Sequence, residues 1–299
     1  MTTHHDGPLL VTGASGHLGR RVVELLLTHE ERRGRTIVAS TRTPDKLADL
    51  AARGVEVRAG SFDEPSSLER VFRGVARALI VSTDALDRPG RRFEQHRAAV
   101  HAAKASGVEH VVYTSLTNPG PESLVTIAPD HWNTEELIAE VGLGHSILRN
   151  NLYAEYLLHH LPHAVKVGKI ANAYGSGAVG YVTREDCARA AASALASSFA
   201  GRAIHDVTGP AALTQLELAG IVSEVTGKRV EYEAVSGDAS IAANVAAGLP
   251  RAIAELLVSF ELAGAKGQLA VASRAVHDLT GRPPTSVRDF LLANKAALG

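Results

Sequence analysis

The sequence predicts an α/β protein with a doubly wound parallel sheet and a smaller, mostly helical C-terminal lobe. In the first half of the chain, short apolar segments typical of buried strands alternate with amphipathic helical segments. A glycine follows each of these helical segments, and glycine ends helices readily because it tolerates the left-handed conformation. These glycines are Gly34, Gly54, Gly74, Gly107 and Gly142.

The strands and helices of this first half are short and regularly spaced. We expect strands at Leu9–Thr12, Thr36–Ser40, Val55–Ala59, Ala78–Ser82, Val111–Thr114 and Ser146–Leu148. We expect helices at about 17–29, 44–53, 65–73, 92–106 and 133–141. Strands that alternate with helices of this length are joined by right-handed crossovers in a parallel sheet.

The alternation is weaker after Arg149, where the second lobe is expected to begin. Residues 168–180 are rich in glycine and predict an irregular loop over the ligand site. Further on, the pattern predicts an alanine-rich helix over 183–199, a strand over 203–207 and a helix over 214–226 that starts with a capping box. We therefore expect one domain over 1–150 and a second region over 151–299, from which residues 183–210 return to the sheet.

The first strand, turn and helix form an anion-binding motif. The free N–H groups of a first helical turn and the helix dipole both favour a negatively charged group. Gly13 permits the sharp turn, Gly16 lets a diphosphate approach the backbone, and Gly19 lets the helix pack close to the strand. The alternative is a purely structural turn, but the position between a strand and a helix favours a dinucleotide site of the Rossmann type.

The residues at the end of the second strand favour NADP(H) over NAD(H). NAD sites usually carry an acidic residue here for the ribose 2′-OH, whereas this chain carries Arg42, whose guanidinium suits a 2′-phosphate. Asp45 is the rival, but Thr43 and Pro44 favour a helix start in which Asp45 complements the dipole. The alternative for Arg42 is an ordinary solvated charge.

Two further strand ends are expected to contact the dinucleotide. Asp63 either accepts a hydrogen bond from the adenine amino group, with Phe62 beside the ring, or caps the next helix. The fourth strand ends with Val81, Ser82 and Thr83, at the carboxyl edge of the sheet where cofactors of such folds lie.

The composition excludes several classes of protein. The chain has 31 basic and 32 acidic residues, so its net charge indicates no binding to nucleic acid or to a membrane surface. The single cysteine, Cys187, cannot form an internal disulfide. Residues 1–8 lack the apolar segment of a signal peptide. We expect a cytoplasmic protein with a small-molecule partner; the oligomeric state is left open, and a homodimer is compatible with the sequence.

Several runs resemble the short-chain dehydrogenase/reductase superfamily, and more closely its atypical NmrA-like branch. That branch includes the type 2 bacterial NAD(P)H:quinone oxidoreductases and the triphenylmethane reductases. The resemblance covers nearly the whole chain, and the His-x-x-Thr-Glu run over 131–135 and the Leu-Arg-Asn run over 148–150 are more specific than the glycine motif. The matching parts also include residues 12–19, Arg42, and the runs 148–153, 265–267 and 279–281.

The resemblance implies an NAD(P)-binding domain over 1–150, a substrate-binding lobe over 151–299, and NADPH-dependent reduction of a quinone or similar conjugated acceptor. Arg42 would hold the 2′-phosphate. The residues implied around the diphosphate are Gly13, Ala14, Ser15, Gly16, His17, Leu18 and Gly19. Those implied around the nicotinamide, its ribose and the acceptor are Val81, Ser82, Thr83, Leu148, Arg149, Asn150, Asn151 and Tyr153.

The chain lacks the Tyr-x-x-x-Lys pair with which most of the superfamily protonates a carbonyl. This argues against ketone reduction and against sugar-nucleotide epimerisation. Quinone reduction is compatible with the absence, because the product can take its proton from water and catalysis then depends mostly on positioning.

Three residues are catalytic candidates. His131 shares a helical face with Thr134 and Glu135 and is either a proton donor near neutral pH or a structural histidine. Ser115 corresponds by resemblance to the serine of the superfamily. Tyr153 either stacks on or hydrogen-bonds the acceptor, or packs in a helix.

No metal site is expected. His159, His160 and His163 lack a completing carboxylate, and Pro162 is expected to break the helix that would bring them together. Two other functions stay open: a regulator of the NmrA type that senses NADP without turnover, and a reductase dedicated to one biosynthetic aromatic intermediate.

Overall fold

The computed structural model describes residues 7–299, which form two compact units. The first contains the described chain up to Ser115 together with Asp130–Arg149 and Cys187–His205. The second contains Leu116–Pro129, Asn150–Asp186 and Asp206–Gly299. The expected lack of a signal peptide concerns mainly residues 1–6, which lie outside the described residues. The assignment of nucleotide and substrate binding to separate regions stays a prediction.

The strands confirm the predicted fold class. In chain order they are β1 (Leu9–Val11), β2 (Ile37–Thr41), β3 (Glu56–Ala59), β4 (Arg77–Ile80), β5 (His110–Leu116), β6 (Gly144–Asn150), β7 (Lys169–Asn172), β8 (Ala178–Val179), β9 (Arg202–Val207), β10 (Leu213–Thr214) and β11 (Glu231–Ala234). The main sheet has the order β3-β2-β1-β4-β5-β6-β9, and β1 pairs in parallel with both β2 and β4. The strand order reverses between β1 and β4, and ligands of doubly wound folds bind at this switch point.

The helices agree with the expected pattern, and all five predicted helix-ending glycines have φ between 72° and 86°. The helices are α1 (His17–Thr28), α2 (Ala48–Ala51), α3 (Pro65–Phe72), α4 (Arg91–Ala105), α5 (Ala128–Glu140), α6 (Leu157–Val167), α7 (Arg184–Ala196), α8 (Gln215–Thr226), α9 (Gly237–Ala246), α10 (Arg251–Ala265), α11 (Ala275–Thr280) and α12 (Val287–Ala293). The capping box of α8 is confirmed, since Thr214 and Glu217 bond reciprocally. No helix of the described chain combines the length and hydropathy required to cross a membrane.

Each unit has its own apolar core. In the first unit, strands such as β1 and β4 are wholly buried, and Leu10, Val38 and Ile80 belong to one cluster of buried side chains. Strands of a parallel sheet read as continuous apolar runs because helices cover both faces. In the second unit, Leu161 of α6 and Val222 of α8 belong to a separate cluster.

Two expectations for the second half were wrong. Residues 168–180 contain β7, which pairs in parallel with β11, so the segment is not an irregular loop. Its glycines serve close packing: a Cβ on Gly177 would lie 2.1 Å from the carbonyl oxygen of Gly264, and one on Gly180 would lie 2.0 Å from that of Val271. Pro162 lies inside α6, which continues through it.

Candidate functional site

The turn between β1 and α1 has the geometry that its glycines predict. Gly13 has φ 60°, a conformation that side chains rarely adopt. A Cβ on Gly19 would lie 2.5 Å from the carbonyl oxygen of Gly13, and one on Gly16 would lie 3.3 Å from it. The first turn of α1 therefore lies directly against the backbone of the glycine turn. Ala14 and Leu18 are buried beneath it, whereas Gly13, Ser15, Gly16 and His17 are exposed.

The N-terminus of α1 has hydrogen-bond donors available to a ligand. Its N-cap residue, Gly16, offers no side chain, and the first turn has no acidic residue. Among residues 7–299, no backbone carbonyl accepts the N–H groups of His17, Leu18 or Gly19. Uncapped donors and an uncompensated helix dipole are the features that bind a diphosphate.

The end of β2 is hydrogen-bonded to this turn, and Arg42, the residue after β2, is exposed. Thr41 Oγ1 donates a hydrogen bond to Ser15 Oγ at 2.8 Å and accepts one from the N–H of Thr43 at 3.1 Å. Arg42 is exposed, and no hydrogen bond or ion pair joins it to another residue of the described chain. Asp45 lies in the first turn of the 3₁₀ helix Pro44–Leu47, as expected.

Asp63 does not cap α3, because that helix starts at Pro65 with Glu64 as its N-cap residue. The Asp63 carboxylate instead accepts hydrogen bonds from Gln95 Nε2 at 2.9 Å and from Arg91 Nη2 at 3.1 Å. These bonds, that of Gln95 first, lower the pKa of Asp63. Its expected contact with adenine stays a prediction. The neighbouring Phe62 is partly buried against the apolar core.

Side chains of β5, of α4 and of the turn after β1 hold the backbone that follows β4. The N–H groups of residues 81, 82 and 83 donate in turn to Thr12 Oγ1 at 3.0 Å, Thr114 Oγ1 at 2.9 Å and His96 Nε2 at 3.0 Å. Arg92 Nε then donates to the carbonyl of residue 83 at 2.7 Å. The segment expected along the nicotinamide ribose is therefore rigidly positioned. Nothing in the local sequence marks His96 and Arg92 as its supports.

These bonds determine the protonation of a buried histidine cluster. Because a backbone N–H donates to His96 Nε2, the proton of His96 is on Nδ1 and donates to Thr134 Oγ1 at 3.0 Å. Arg92 donates to His131 Nε2 at 3.0 Å, so the proton of His131 is on Nδ1, 3.0 Å from the Tyr113 hydroxyl. Both imidazole rings are thus neutral, and each accepts a hydrogen bond at Nε2.

This environment does not fit the expected proton donation by His131. Burial, followed by the charge of Arg92, lowers the pKa of His131 well below its ordinary value. The side chain is 4% exposed, and both of its nitrogens have protein partners. The geometry therefore favours the structural alternative.

Ser115 and Arg149 converge on a buried carboxylate. The Ser115 hydroxyl donates to Glu135 Oε1, and Arg149 donates to both carboxylate oxygens through Nε and Nη2. Glu135 is 6% exposed. Leu148, the residue before Arg149, is fully buried. Glu135, on the expected face of α5, therefore has a structural role as the partner of Ser115 and Arg149. The catalytic role of Ser115 and the ligand contacts of Leu148 and Arg149 stay predictions.

In the second unit, Asn150 and Tyr153 are joined through their side chains. Asn150 Nδ2 donates to the Tyr153 hydroxyl at 3.3 Å, and Asn150 Oδ1 is buried without a partner in the described chain. Asn151 Nδ2 donates to the carbonyl of Leu269 at 3.0 Å. Tyr153 precedes the 3₁₀ helix Ala154–Tyr156 and is partly exposed, so it does not pack inside a helix.

The chain is similar over nearly its whole length to known oxidoreductases. The model of the NmrA-like family matches residues 5–291. Quinone oxidoreductase 2 of Escherichia coli (strain K12) is 33% identical over 281 residues, which are 94% of this chain and 96% of that protein. The NAD(P)H azoreductase of Xenophilus azovorans is 28% identical over 291 residues, which are 97% of this chain and 99% of that protein.

Solved structures show the same similarity. The NADPH-dependent quinone oxidoreductase of Escherichia coli, complexed with NADPH, superimposes with a TM-score of 0.88 at 32% identity, covering 96% of this chain and 99% of that one. The triphenylmethane reductase of Citrobacter sp., complexed with NADP(H), superimposes with a TM-score of 0.88 at 33% identity, covering 97% of this chain and 100% of that one.

Proposed function

Since the chain belongs to the NmrA-like family, we propose that it is an NADPH-dependent oxidoreductase that transfers a hydride to a quinone or a similar conjugated acceptor. The observation that carries this proposal is the uncapped N-terminus of α1 on its glycine turn, next to the unpaired Arg42. Relatives named as quinone oxidoreductase and NAD(P)H azoreductase support the chemistry, and structures complexed with NADPH and NADP(H) support the cofactor.

The residues of this chain fit a phosphorylated dinucleotide. Backbone N–H groups of His17, Leu18 and Gly19 would bind the diphosphate, and the guanidinium of Arg42 would bind the 2′-phosphate. The rigid segment 81–83 would lie along the nicotinamide ribose. NADP(H) would supply the hydride when bound.

The proposed acceptor follows from the bonds that occupy three of the candidate acids. Tyr113 and His131 are buried and bonded to each other, and the Ser115 hydroxyl is bonded to Glu135. A quinone accepts a hydride without a matched acid, because its reduced oxygen is a weak base that takes a proton from water. The contribution of the protein is then the alignment of two flat rings.

The test measures oxidation of NADPH and NADH in the presence of menadione, benzoquinone and a set of azo and triphenylmethane dyes. We expect acceptor-dependent oxidation with a higher kcat/KM for NADPH than for NADH. The proposal fails if no acceptor of the panel is reduced with either nucleotide. Tight binding of NADPH in calorimetry without any turnover would instead support the regulator that senses NADP.

A further inference from the structure

A cationic aromatic surface lies in the second unit. The rings of Tyr153 and Tyr156 are nearly parallel, with centroids 6.1 Å apart and planes inclined by 17°. The central guanidinium carbon of Arg184 lies 5.3 Å from the centroid of Tyr153 and 5.4 Å from that of Tyr156. We name these three residues the Tyr–Arg surface. Tyr156 is 42% exposed and Arg184 is partly exposed, so a ligand can reach the surface.

The guanidinium of Arg184 stacks on two tyrosine rings but makes no hydrogen bond or ion pair with the described residues. The carboxylate of Glu155 accepts the backbone N–H of Arg184 at 2.9 Å and 3.1 Å, which places this negative charge at the N-terminus of α7. The helix dipole stabilises a carboxylate there. The donors of the guanidinium are therefore available to an external anion.

We propose that the Tyr–Arg surface selects acceptors that carry a carboxylate or sulfonate on a flat aromatic ring. A guanidinium binds such oxyanions through two parallel N–H donors, a geometry that lysine lacks. Tyrosine faces bind flat rings, and a guanidinium already stacked on them loses little freedom when it binds. The inference rests on the proposed function, since it treats the aromatic ligand as the hydride acceptor.

The kinetic test compares two naphthoquinones, of which only one is charged. For 1,4-naphthoquinone-2-sulfonate and for menadione, kcat/KM is measured with the wild-type protein and with Arg184→Gln. We expect the substitution to lower the ratio of kcat/KM, sulfonated over neutral, roughly tenfold, because it removes hydrogen bonds to a charged group. Arg229→Gln is the matched control: Arg229 is an exposed arginine of the same unit, paired with Glu231, and its loss leaves the ratio unchanged.

A binding measurement separates the two proposals. The Kd of naphthalene-2-sulfonate, which cannot accept a hydride, is measured by calorimetry with the same variants. We expect weaker binding to Arg184→Gln, an intermediate Kd for Arg184→Lys, and no change for Arg229→Gln. An equal Kd for wild type and Arg184→Gln overturns the inference, as does an unchanged kinetic ratio. If no quinone is reduced, the proposed function fails, and the binding result alone decides whether the surface recognises aromatic anions.

Discussion

Arg42 has no bonding partner in the described chain, so its charge is available for a ligand. It directly follows Thr41, whose hydroxyl is bonded to Ser15 of the glycine turn. A fixed backbone next to a free guanidinium is suited to discriminate between nucleotides that differ by one phosphate. By contrast, the guanidiniums of Arg91 and Arg92 are bonded within the protein.

The Arg42→Ala substitution tests this discrimination. Loss of a charged hydrogen-bond partner costs about 1.5–3 kcal/mol, so we expect kcat/KM for NADPH to fall roughly tenfold to a hundredfold. The value for NADH is expected to stay within about twofold, because NADH lacks the phosphate that Arg42 would bind. Steady-state kinetics with both nucleotides measure the change. Arg53→Ala, at an exposed arginine of the same unit, is the control, and an unchanged NADPH/NADH ratio in Arg42→Ala would rule out the role of Arg42.

At the scale of elements, the helices differ in whether a side chain accepts the free N–H groups of the first turn. Side chains of Thr214, Ser236 and Ser286 cap α8, α9 and α12, whereas no side chain caps α1. An unsatisfied helix terminus lowers stability and is expected where a ligand binds. The absence of a cap alone does not distinguish α1, because no side chain caps α3, α4, α6 or α10 either. What distinguishes α1 is that its open N-terminus lies against the glycine turn.

Gly19→Ala tests the contact between α1 and the glycine turn. Its Cβ would lie 2.5 Å from the carbonyl oxygen and 2.9 Å from the carbonyl carbon of Gly13, so the helix or the turn must move. We expect the Kd for NADPH to rise at least roughly tenfold and the free energy of unfolding to fall by about 1–3 kcal/mol. Calorimetry and urea unfolding measure the two effects.

Gly220→Ala is the matched control, because a Cβ at this position of α8 meets no atom within 4 Å. Alanine is favoured over glycine in a helix interior, so we expect this variant to be more stable by about 0.5–1 kcal/mol and to bind NADPH normally. If Gly19→Ala also binds NADPH normally, the close approach of helix and turn is not required for the site.

The C-terminus of α7 is satisfied by a buried arginine of β4. Arg77 is 2% exposed and donates to the carbonyls of Leu195, Phe199 and Ala194 at 3.0, 2.8 and 3.1 Å. Burial lowers the pKa of Arg77 to about 10, so the side chain remains charged at neutral pH. Arg35 also donates to the carbonyl of Ala196, and Ser197 Oγ donates to that of Ala194, so Arg77 is the side-chain donor for Leu195 and Phe199.

Arg77→Met is expected to lower the free energy of unfolding by about 3 kcal/mol, because it leaves the carbonyls of Leu195 and Phe199 without a side-chain donor while filling a similar volume. Chemical denaturation measures the loss. Arg53→Met, at an exposed arginine of the same unit, serves as the control and should change stability by less than about 0.5 kcal/mol. Equal stability of Arg77→Met and the wild type would show that water satisfies these carbonyls instead.

At the scale of the whole molecule, the relatives confirm the predictions of the family, the α/β fold and NAD(P)H-dependent oxidoreductase chemistry. Periodicity and glycine position were sufficient for the first unit, because its elements depend on local patterns. The β7 strand was missed because its pairing with β11 joins residues some sixty positions apart. The supports of residues 81–83 were missed for the same reason, since His96 and Arg92 reach them only through the packing of α4.

Buried neutral histidines make the whole molecule sensitive to acid. Burial, and then neighbouring arginine charge, lowers the pKa of both His96 and His110 to about 3, against 6.5 for an ordinary histidine. Between these values the unfolded chain binds more protons than the folded one, so stability is highest above about pH 6.5 and falls as the pH decreases. Each of these histidines is expected to contribute a loss of about 2 kcal/mol between about pH 7 and about pH 5.

His110→Gln isolates one of these contributions. His110 contacts Ser146 through Nε2 at 3.0 Å, and its Nδ1 is buried without a partner, so glutamine preserves one bond and removes the titrating ring. The free energy of unfolding is measured with urea at several pH values from about pH 7 to about pH 5. Its slope against pH should correspond to about one proton fewer than in the wild type, whatever the stability at neutral pH. Ser146→Ala, which removes the hydrogen bond to His110 but keeps the buried ring, should retain the pH dependence of the wild type. A His110→Gln slope equal to that of the wild type would mean that the folded protein protonates His110 as readily as the unfolded chain does.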